Sequence, residues 1–295
     1  MKRLFVSAAV LLVAAGCMQK QVPETGLPVY ITDSSCQAEL SYAEMISRLS
    51  ESDAVFVGEI HTDSLTHRLE MEILEDLFAR SADIAVSMEM FERDVQEYVD
   101  QYLAGSIDEE VFLSKTRPWN NYATAYRPLV EFAKEHRFPV IAMNVPRRYA
   151  AVVARSGIQG LEALNPDEKK WIAKEVKPLN DEYRKRFVSL MTGRHKPGPM
   201  AMMTPQKMYE AQCLKDDTMA ESIDSFLDEH SSTRIVSYQG AFHSDFRLGI
   251  VKKLLMLRPD LNITVVSVVP VEDPETVDRA EHAGRGDIIV FVKGG

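Results

Sequence analysis

The chain has 295 residues and a formal net charge of −10, from 34 basic and 44 acidic side chains. This length is sufficient for one large α/β domain with a substantial core, although two domains are compatible with length alone. The acidic balance, without a cluster of basic residues, argues against nucleic-acid binding, because contacts to phosphates require a concentrated positive surface.

The first seventeen residues have the organisation of an export signal. Two basic residues precede an apolar run over residues 4–13, and three small residues then lead to Cys17. The run is too short to span a bilayer, and small residues before a cysteine suit a lipoprotein signal peptidase. We predict that residues 1–16 are a lipoprotein signal peptide and that Cys17 is lipidated. A plain secretory signal or a non-cleaved anchor is the alternative.

In each case the domain is expected outside the cytoplasm, as a periplasmic or cell-surface protein. Met18, directly after the cysteine, favours anchoring in the outer membrane of a Gram-negative host. Residues 17–41 are predicted to form the lipidated N-terminus and a tether, because prolines, a glycine and polar residues occur there without an apolar period. The folded domain is predicted to span residues 42–295.

Beyond Cys17, the chain contains two further cysteines, Cys36 and Cys213. In an oxidising compartment a disulfide between them is compatible with the sequence, which does not define it. The chain contains no CxxC pair of the kind that indicates a metal–thiolate site.

Short apolar runs alternate with amphipathic stretches throughout the domain. The predicted strands are residues 54–57, 84–88, 139–143, 234–238 and 263–269, with an edge strand at 288–292. Strands separated by helices indicate an α/β fold with a mostly parallel central sheet flanked by helices. Between residues 165 and 230 the strand pattern stops, and stretches 167–176, 180–191 and 205–227 predict a helical insertion.

Polar residues follow four of the predicted strands where each strand ends. They are the turn from Gly58 to His61, Glu89 with Glu92, Asn144 with Arg147 and Arg148, and the turn from Gly240 to His243. Ligands of parallel α/β sheets bind outside the carboxyl ends of the strands, so we expect these residues to converge at one rim. Histidines with carboxylates can hold a divalent metal or share acid and base roles on a bound water.

Each of these positions also has a structural interpretation, because a single Glu after a strand commonly stabilises a helix N-terminus. The repetition of Gly-x-x-His at two strand ends favours a common site. The candidate catalytic residues are Glu59, His61, Glu89, Arg147 and His243. The candidate metal ligands are Glu59, His61, Glu89 and His243. His67, three residues before Glu70 on an amphipathic helix, is predicted to lie on the solvated face.

An aromatic segment, residues 119–129, and a Met-rich segment, residues 200–208, form a second candidate region. Together with Tyr209 they can line a flat apolar pocket. Such a pocket suits a porphyrin, whose iron can take tyrosine as an axial ligand. The alternative is that these side chains fill the interface between the insertion and the sheet.

The motifs at these positions resemble those of the ChaN-like haem-binding lipoproteins, within the Tiki and erythromycin-esterase superfamily. The resemblance covers nearly the whole mature domain. It rests on motifs at 58–61, 88–90, Trp119 with 126–129, 144–146, Ala211 and Gln212 with Asp216 and 219–220, and 240–243 with 249–250. The superfamily pattern of two Gly-x-x-His motifs, a Glu and an Arg corresponds to His61, His243, Glu89 and either Arg147 or Arg148.

The resemblance implies a surface lipoprotein that binds haem at a dimer interface, with tyrosine as the iron ligand, for haem or iron uptake or storage. The candidate ligands are Tyr126 and Tyr209, and His195 is a candidate partner for a haem propionate. An outer-membrane haem receptor is the further partner expected in that setting. The resemblance also implies a link to metal-dependent hydrolases, so a hydrolase that uses the strand-end residues is the alternative function.

Overall fold

The computed structural model describes residues 24–192 and 204–294. The predicted signal peptide, Cys17 and His195 lie outside the described residues, as do three methionines of the Met-rich segment, at positions 200, 202 and 203. Lipidation at Cys17 and a haem contact from His195 therefore stay predictions.

Seven strands form one sheet with the order β1-β7-β6-β2-β5-β3-β4. The strands are β1 (Val29–Asp33), β2 (Ala54–Glu59), β3 (Ile84–Glu92), β4 (Val140–Asn144), β5 (Arg234–Gly240), β6 (Ile263–Val271) and β7 (Ile288–Lys293). All neighbouring strands are parallel except β1, which is antiparallel to β7. This arrangement confirms the predicted α/β fold with a mostly parallel sheet.

Helices connect the strands and cover both faces of the sheet. Within the described residues they are α1 (Tyr42–Leu49), α2 (Ser64–Arg80), α3 (Gln96–Leu103), α4 (Glu109–Thr116), α5 (Tyr122–Ala125), α6 (Arg127–His136), α7 (Arg147–Ser156), α8 (Pro166–Lys169), α9 (Glu182–Thr192), α10 (Pro205–Glu229) and α11 (Gly249–Leu257). Among these helices none is long and apolar enough to cross a bilayer.

The two faces of β2 belong to two different apolar cores. Val55 and Val57 pack with residues of α1, α2 and α6, whereas Ala54 and Phe56 pack with residues of α10 and α11. Successive side chains of a strand point to opposite faces, so a strand buried on both sides must be apolar throughout. This double burial explains the continuous apolar runs of the sequence.

The predicted helical insertion is partly a layer of the fold itself. Its first predicted helix, residues 167–176, contracts to α8, whereas α9 and α10 agree closely with the predicted ranges. In α10, Met219 and Ile223 are fully buried against the sheet core that contains Phe56. The C-terminal half of α10 is therefore part of the connection between β4 and β5 and covers one face of the sheet.

The structure differs from the predictions at one edge of the sheet. Residues 29–33, within the predicted tether, form β1, which pairs with β7 from Val29 opposite Val292 to Asp33 opposite Ile288. Consequently β1 is the edge strand and β7, predicted at the edge, lies between β1 and β6. Only five residues long and preceded by Pro28, β1 has too little periodicity to be recognised locally.

Cys36 and Cys213 are both free thiols, so they do not form the disulfide considered from the sequence. Cys213 is fully buried on α10 beside Tyr209. Cys36 is partly buried and packs near Phe291 of β7. Each thiol belongs to a different apolar cluster of the described structure.

Candidate functional site

The candidate site lies at the carboxyl ends of β2, β5 and β3, which are neighbours in the sheet. Glu59 ends β2 and is paired with Gly240, which ends β5. The third strand, β3, extends to Glu92, and its pairing with β4 shifts register between Met88 and Glu92. Glu89 lies inside this irregularity, which changes the direction of successive side chains in a strand.

The two Gly-x-x-His turns fit into each other. A Cβ atom at Gly240 would lie 2.9 Å from Nε2 of His61, and a Cβ atom at Gly58 would lie 2.9 Å from Cα of Ala241. The glycine of each motif therefore makes room for the turn of the other motif. This reciprocal contact gives a physical reason for the repeated Gly-x-x-His pattern.

His243 forms an ion pair with two buried carboxylates. Its Nδ1 lies 2.6 Å from Asp216 Oδ1 and its Nε2 lies 3.3 Å from Glu89 Oε1. Burial opposes the charge of His243, but the charges of Glu89 and Asp216 prevail and raise its pKa to about 9. Burial also opposes ionisation of Glu89, yet the charge of His243 holds the pKa of Glu89 below its usual range. At neutral pH His243 is a proton donor.

His61 pairs with Glu59 and is the exposed member of the site. Its Nδ1 lies 2.6 Å from Glu59 Oε1, which also accepts a hydrogen bond from the hydroxyl of Tyr126 at 2.8 Å. Burial opposes ionisation of Glu59, but hydrogen bonds from His61 and His67 lower its pKa to about 2. The His61 side chain is 36% exposed, whereas that of Glu59 is fully buried. Glu59 is therefore an ionised group that orients His61.

The prediction that His67 lies on a solvated face is wrong. Its side chain is 9% exposed, and its Nδ1 lies 3.1 Å from Glu59 Oε2 and 3.0 Å from Glu70 Oε2. Burial lowers the pKa of His67, but hydrogen bonds to Glu59 and Glu70 raise it to about 10. Burial and then the charge of Glu59 raise the pKa of Glu70. The missed signal is that Glu70 falls in the buried helical stripe that contains Thr66, Ile73 and Leu77.

The structure divides the predicted metal set of Glu59, His61, Glu89 and His243 between two groups of contacts. Among the described residues, only Glu59, His67 and Glu70 bring three ligand atoms within 4.8 Å of one another. Glu59 divides its two oxygens between His61 and His67, and Glu89 interacts with His243. The four residues thus belong to two separate carboxylate–histidine pairs.

Neither predicted tyrosine is placed to bind an iron atom. Tyr126 is fully buried, and its hydroxyl donates to Glu59. Tyr209 is 1% exposed, and its hydroxyl donates to the carbonyl of Leu179 at 2.7 Å. Burial raises the pKa of both phenols. The two side chains fill interior contacts, which was the structural alternative for them.

Arg147 and Arg148 have different surroundings. The Arg147 side chain is exposed and lines the cleft beside His61, whereas Arg148 binds Asp94 at 2.8 Å. Glu92 accepts a hydrogen bond from the backbone N–H of Arg147 at 3.1 Å, and so serves the N-terminus of α7. Arg147 is therefore the arginine of the pair that adjoins the site.

A cleft of about 950 Å³ opens beside His61. Its apolar walls are formed by Met71, Pro118, Trp119 and Pro128. Its cationic side chains are those of Arg68, Arg117 and Arg147. The ring of Trp119 packs edge-on against His61 with centroids 4.7 Å apart, so the aromatic segment forms one wall of the site.

Solved structures with the same fold include ChaN of Campylobacter jejuni, described with cofacial haem binding. It is 18% identical, and the alignment covers 90% of this chain and 97% of that chain with a TM-score of 0.64. A mutant of the erythromycin esterase EreC in its open conformation is 11% identical, with 90% and 98% coverage and a TM-score of 0.50.

A curated relative is Protein RETICULATA-RELATED 5, chloroplastic, of Arabidopsis thaliana, which is 25% identical over 190 residues and 60% of this chain. The match spans only 25% of the length of that plant protein. The family described as "Haem-binding uptake, Tiki superfamily, ChaN" matches residues 45–254. This range contains both Gly-x-x-His turns and all three carboxylates that contact their histidines, and the chain belongs to this ChaN family of the Tiki superfamily.

Proposed function

We propose that this protein binds haem in the cleft beside His61. The observation that carries the proposal is the combination, in one cleft, of apolar walls with two arginines, Arg68 and Arg147, that no carboxylate of the described residues pairs with. Membership of the ChaN family and the fold shared with the haem-bound ChaN of Campylobacter jejuni support it.

The shape and the walls of the cleft suit a porphyrin. Its volume of about 950 Å³ is at the upper end of the roughly 300–1,000 Å³ found for small-molecule sites. Trp119 presents an aromatic ring, and Pro118, Pro128 and Met71 add apolar surface. A macrocycle needs such apolar contacts on its faces.

The cations of the cleft suit the two propionates of haem. Arg117 is bound to Glu92 at 2.8 Å and also pairs with Asp94. Arg68 and Arg147 form no ion pair with any residue that the structure describes. Guanidinium groups bind carboxylates with two parallel hydrogen bonds, so these two arginines are the expected propionate partners.

Three cleft residues carry a side chain of a type that binds haem iron, namely His61, His67 and Met71. Both ring nitrogens of His67 already contact protein atoms, so His61 and Met71 are the candidate ligands. Imidazole and thioether groups are both established axial ligands. The contact between His61 Nδ1 and Glu59 leaves Nε2 as the ring atom for a metal, and a carboxylate partner raises the basicity of such an imidazole. Because Nε2 lies against Gly240, ligation by His61 requires a rotation of the ring.

Titration with haemin, followed through the Soret band, tests the proposal. Replacing Arg68 and Arg147 together with Ala should weaken haemin binding at least about tenfold, from the loss of two charge-assisted contacts. Arg155→Ala, at the other end of α7, is the matched control and should leave binding unchanged. His61→Ala and Met71→Leu then identify the axial ligand by the position of the band.

Tyr126→Phe and Tyr209→Phe should retain the Soret band, because both hydroxyl groups face the interior. If either tyrosine variant loses the Soret band while the Arg68 and Arg147 double variant still binds haemin, haem does not bind in the cleft beside His61. The same samples, analysed by sedimentation, show whether haemin couples two copies of the chain into the dimer that we propose.

A hydrolytic function is the second candidate, and one observation favours it. His61 is exposed to the cleft and oriented by an ionised Glu59, while His243 beside it is protonated. A base and an acid at the end of one sheet are the groups needed to activate water and protonate a leaving group. His61→Ala should then reduce hydrolysis of p-nitrophenyl acetate by about 100-fold or more, the usual contribution of a general base, whereas Arg155→Ala should not.

We propose that the protein acts at the cell envelope as a lipoprotein anchored through Cys17, in haem or iron uptake or storage. The order of basic residues, apolar run and small residues before Cys17 supports the anchor. An outer-membrane receptor is the partner that would exchange haem with it in that setting.

A further inference from the structure

We infer that Glu59, His67 and Glu70 form a binding site for a divalent transition-metal ion such as Zn²⁺. The site lies beneath the cleft, between the end of β2 and the first turns of α2. It adjoins the cleft through His67, whereas Glu70 does not line the cleft.

The two carboxylates present oxygen atoms that have few or no donors. Both side chains are fully buried, Glu70 Oε1 has no hydrogen-bond partner among the described residues, and Glu59 Oε2 has only its ion-pair contact with His67. His67 Nδ1 lies 3.1 Å from Glu59 Oε2 and 3.0 Å from Glu70 Oε2, so one nitrogen atom faces both carboxylates. A buried carboxylate oxygen without a donor is costly, and the one cation among these three residues is the imidazolium of His67, whose proton a metal ion would displace.

The spacing of the ligand atoms suits a metal ion. Ligands placed 2.0–2.2 Å from a tetrahedral Zn²⁺ lie about 3.3–3.5 Å from one another. The two measured separations, 3.1 Å and 3.0 Å from His67 Nδ1, need only a small expansion to admit the ion. When the metal displaces the protons that His67 and Glu70 hold in the free protein, a neutral imidazole and two ionised carboxylates remain, and the divalent cation cancels the carboxylate charge.

The surrounding residues already hold this ligand set in place. His67 Nε2 lies 3.2 Å from the carbonyl oxygen of His61, which assigns the Nε2 proton and turns Nδ1 toward the carboxylates. Metal-ligating histidines characteristically donate their other N–H to such an acceptor. Tyr126 donates to Glu59 Oε1, which leaves Oε2 for the metal. Because His67 also lines the cleft, the fourth position of the metal can be reached by water.

Isothermal titration of the EDTA-treated full-length protein with Zn²⁺ tests this inference. The wild type should bind one Zn²⁺ per chain. Glu70→Gln, nearly isosteric, and His67→Gln should each weaken binding at least about tenfold, the lower limit found for losing even a supporting partner. Glu75→Gln, an exposed carboxylate on the same helix, is the matched control and should bind like the wild type.

Circular dichroism verifies that each variant is folded, and Co²⁺ absorption of the wild type gives a readout that needs no variant. A visible band typical of four-coordinate Co²⁺ is expected. Absence of saturable Zn²⁺ binding in the wild type, or equal affinity in Glu70→Gln and Glu75→Gln, would overturn the inference. Loss of the ion in His243→Gln with retention in Glu70→Gln would also overturn it. Haemin titration of Glu70→Gln should still give the Soret band, so the metal and haem proposals fail independently.

Discussion

At the scale of single residues, the site is defined by contacts that spacing in the sequence reveals only in part. The Gly-x-x-His motifs were recognisable because their residues are adjacent, and parallel strands bring such turns to one edge. Asp216 lies 27 residues from His243 and contacts it through the docking of α10. His67 and Glu70 face inward through the docking of α2. Contacts that arise from helix packing have no local signature, so the sequence did not assign these three residues to the site, although Asp216 belongs to the motifs of the family resemblance.

The reciprocal fit of the two glycine turns predicts different effects for two similar substitutions. Gly58→Ala brings a methyl group against the backbone at Ala241, which cannot move aside, and should cost about 1–3 kcal/mol in the free energy of unfolding. The methyl group of Gly240→Ala would contact the His61 side chain, which can rotate into the cleft. This substitution should therefore reduce the unfolding free energy by less than Gly58→Ala. Urea denaturation measures both.

Gly26→Ala is the control for these variants, since a methyl group there would contact nothing within 4 Å. Its unfolding free energy should stay within about 0.5 kcal/mol of the wild type. A Gly240→Ala variant less stable than Gly58→Ala would show that the interlocked turns are not packed as described.

The ion pair around His243 predicts a loss of stability in alkaline solution. Its pKa is raised in the folded protein from 6.5 to about 9, so the folded state binds the proton more tightly than the unfolded state. The resulting stabilisation is complete below about pH 6.5 and is lost as the pH rises through about 9. In His243→Gln the decline of unfolding free energy from pH 7 to pH 10 should be smaller.

Some decline of the unfolding free energy with rising pH should remain in His243→Gln, because the pKa of His67 is also raised, to about 10. Denaturant titrations across this pH range provide the measurement. Identical pH profiles for the wild type and His243→Gln would mean that His243 carries no charge in the folded protein.

At the scale of elements, most strands and helices were predictable because a parallel sheet requires runs that are apolar on both faces. The exceptions have physical reasons. β1 is too short to show a period, and it becomes a strand only through pairing with β7. The role of α10 was underestimated because a helix that packs on a sheet has the same 3.6-residue period as a helix in an appended insertion.

The position of α10 predicts that its buried face stabilises the whole sheet. Ile223→Ala removes a fully buried side chain beside Phe56 and should cost about 2–5 kcal/mol in unfolding free energy. Ser225→Ala, exposed on the same helix, should change stability by less than about 0.5 kcal/mol. Thermal and urea unfolding measure the stability of both variants. Equal, small changes in unfolding free energy would show that α10 does not stabilise the sheet.

At the scale of the whole molecule, the N-terminal pattern predicts attachment to a membrane. Replacing Cys17 with Ser removes the thiol that a lipid would modify, so the protein should leave the membrane fraction or remain unprocessed. Fractionation and mass spectrometry of wild type and variant provide the measurement, with Cys36→Ser as the matched control. Unchanged fractionation and unchanged mass in Cys17→Ser would rule out this anchor.

The antiparallel direction of β1 determines at which end of the sheet the N-terminal segment enters the domain. Val29 begins β1 opposite Val292, near the end of β7. The chain therefore enters the sheet on the side where the parallel strands have their carboxyl ends. The cleft and both histidine turns lie on that same side. Eleven residues separate Cys17 from Val29, a reach of at most roughly 40 Å. A lipid on Cys17 would therefore keep that end of the sheet, with the cleft, within roughly 40 Å of the bilayer surface.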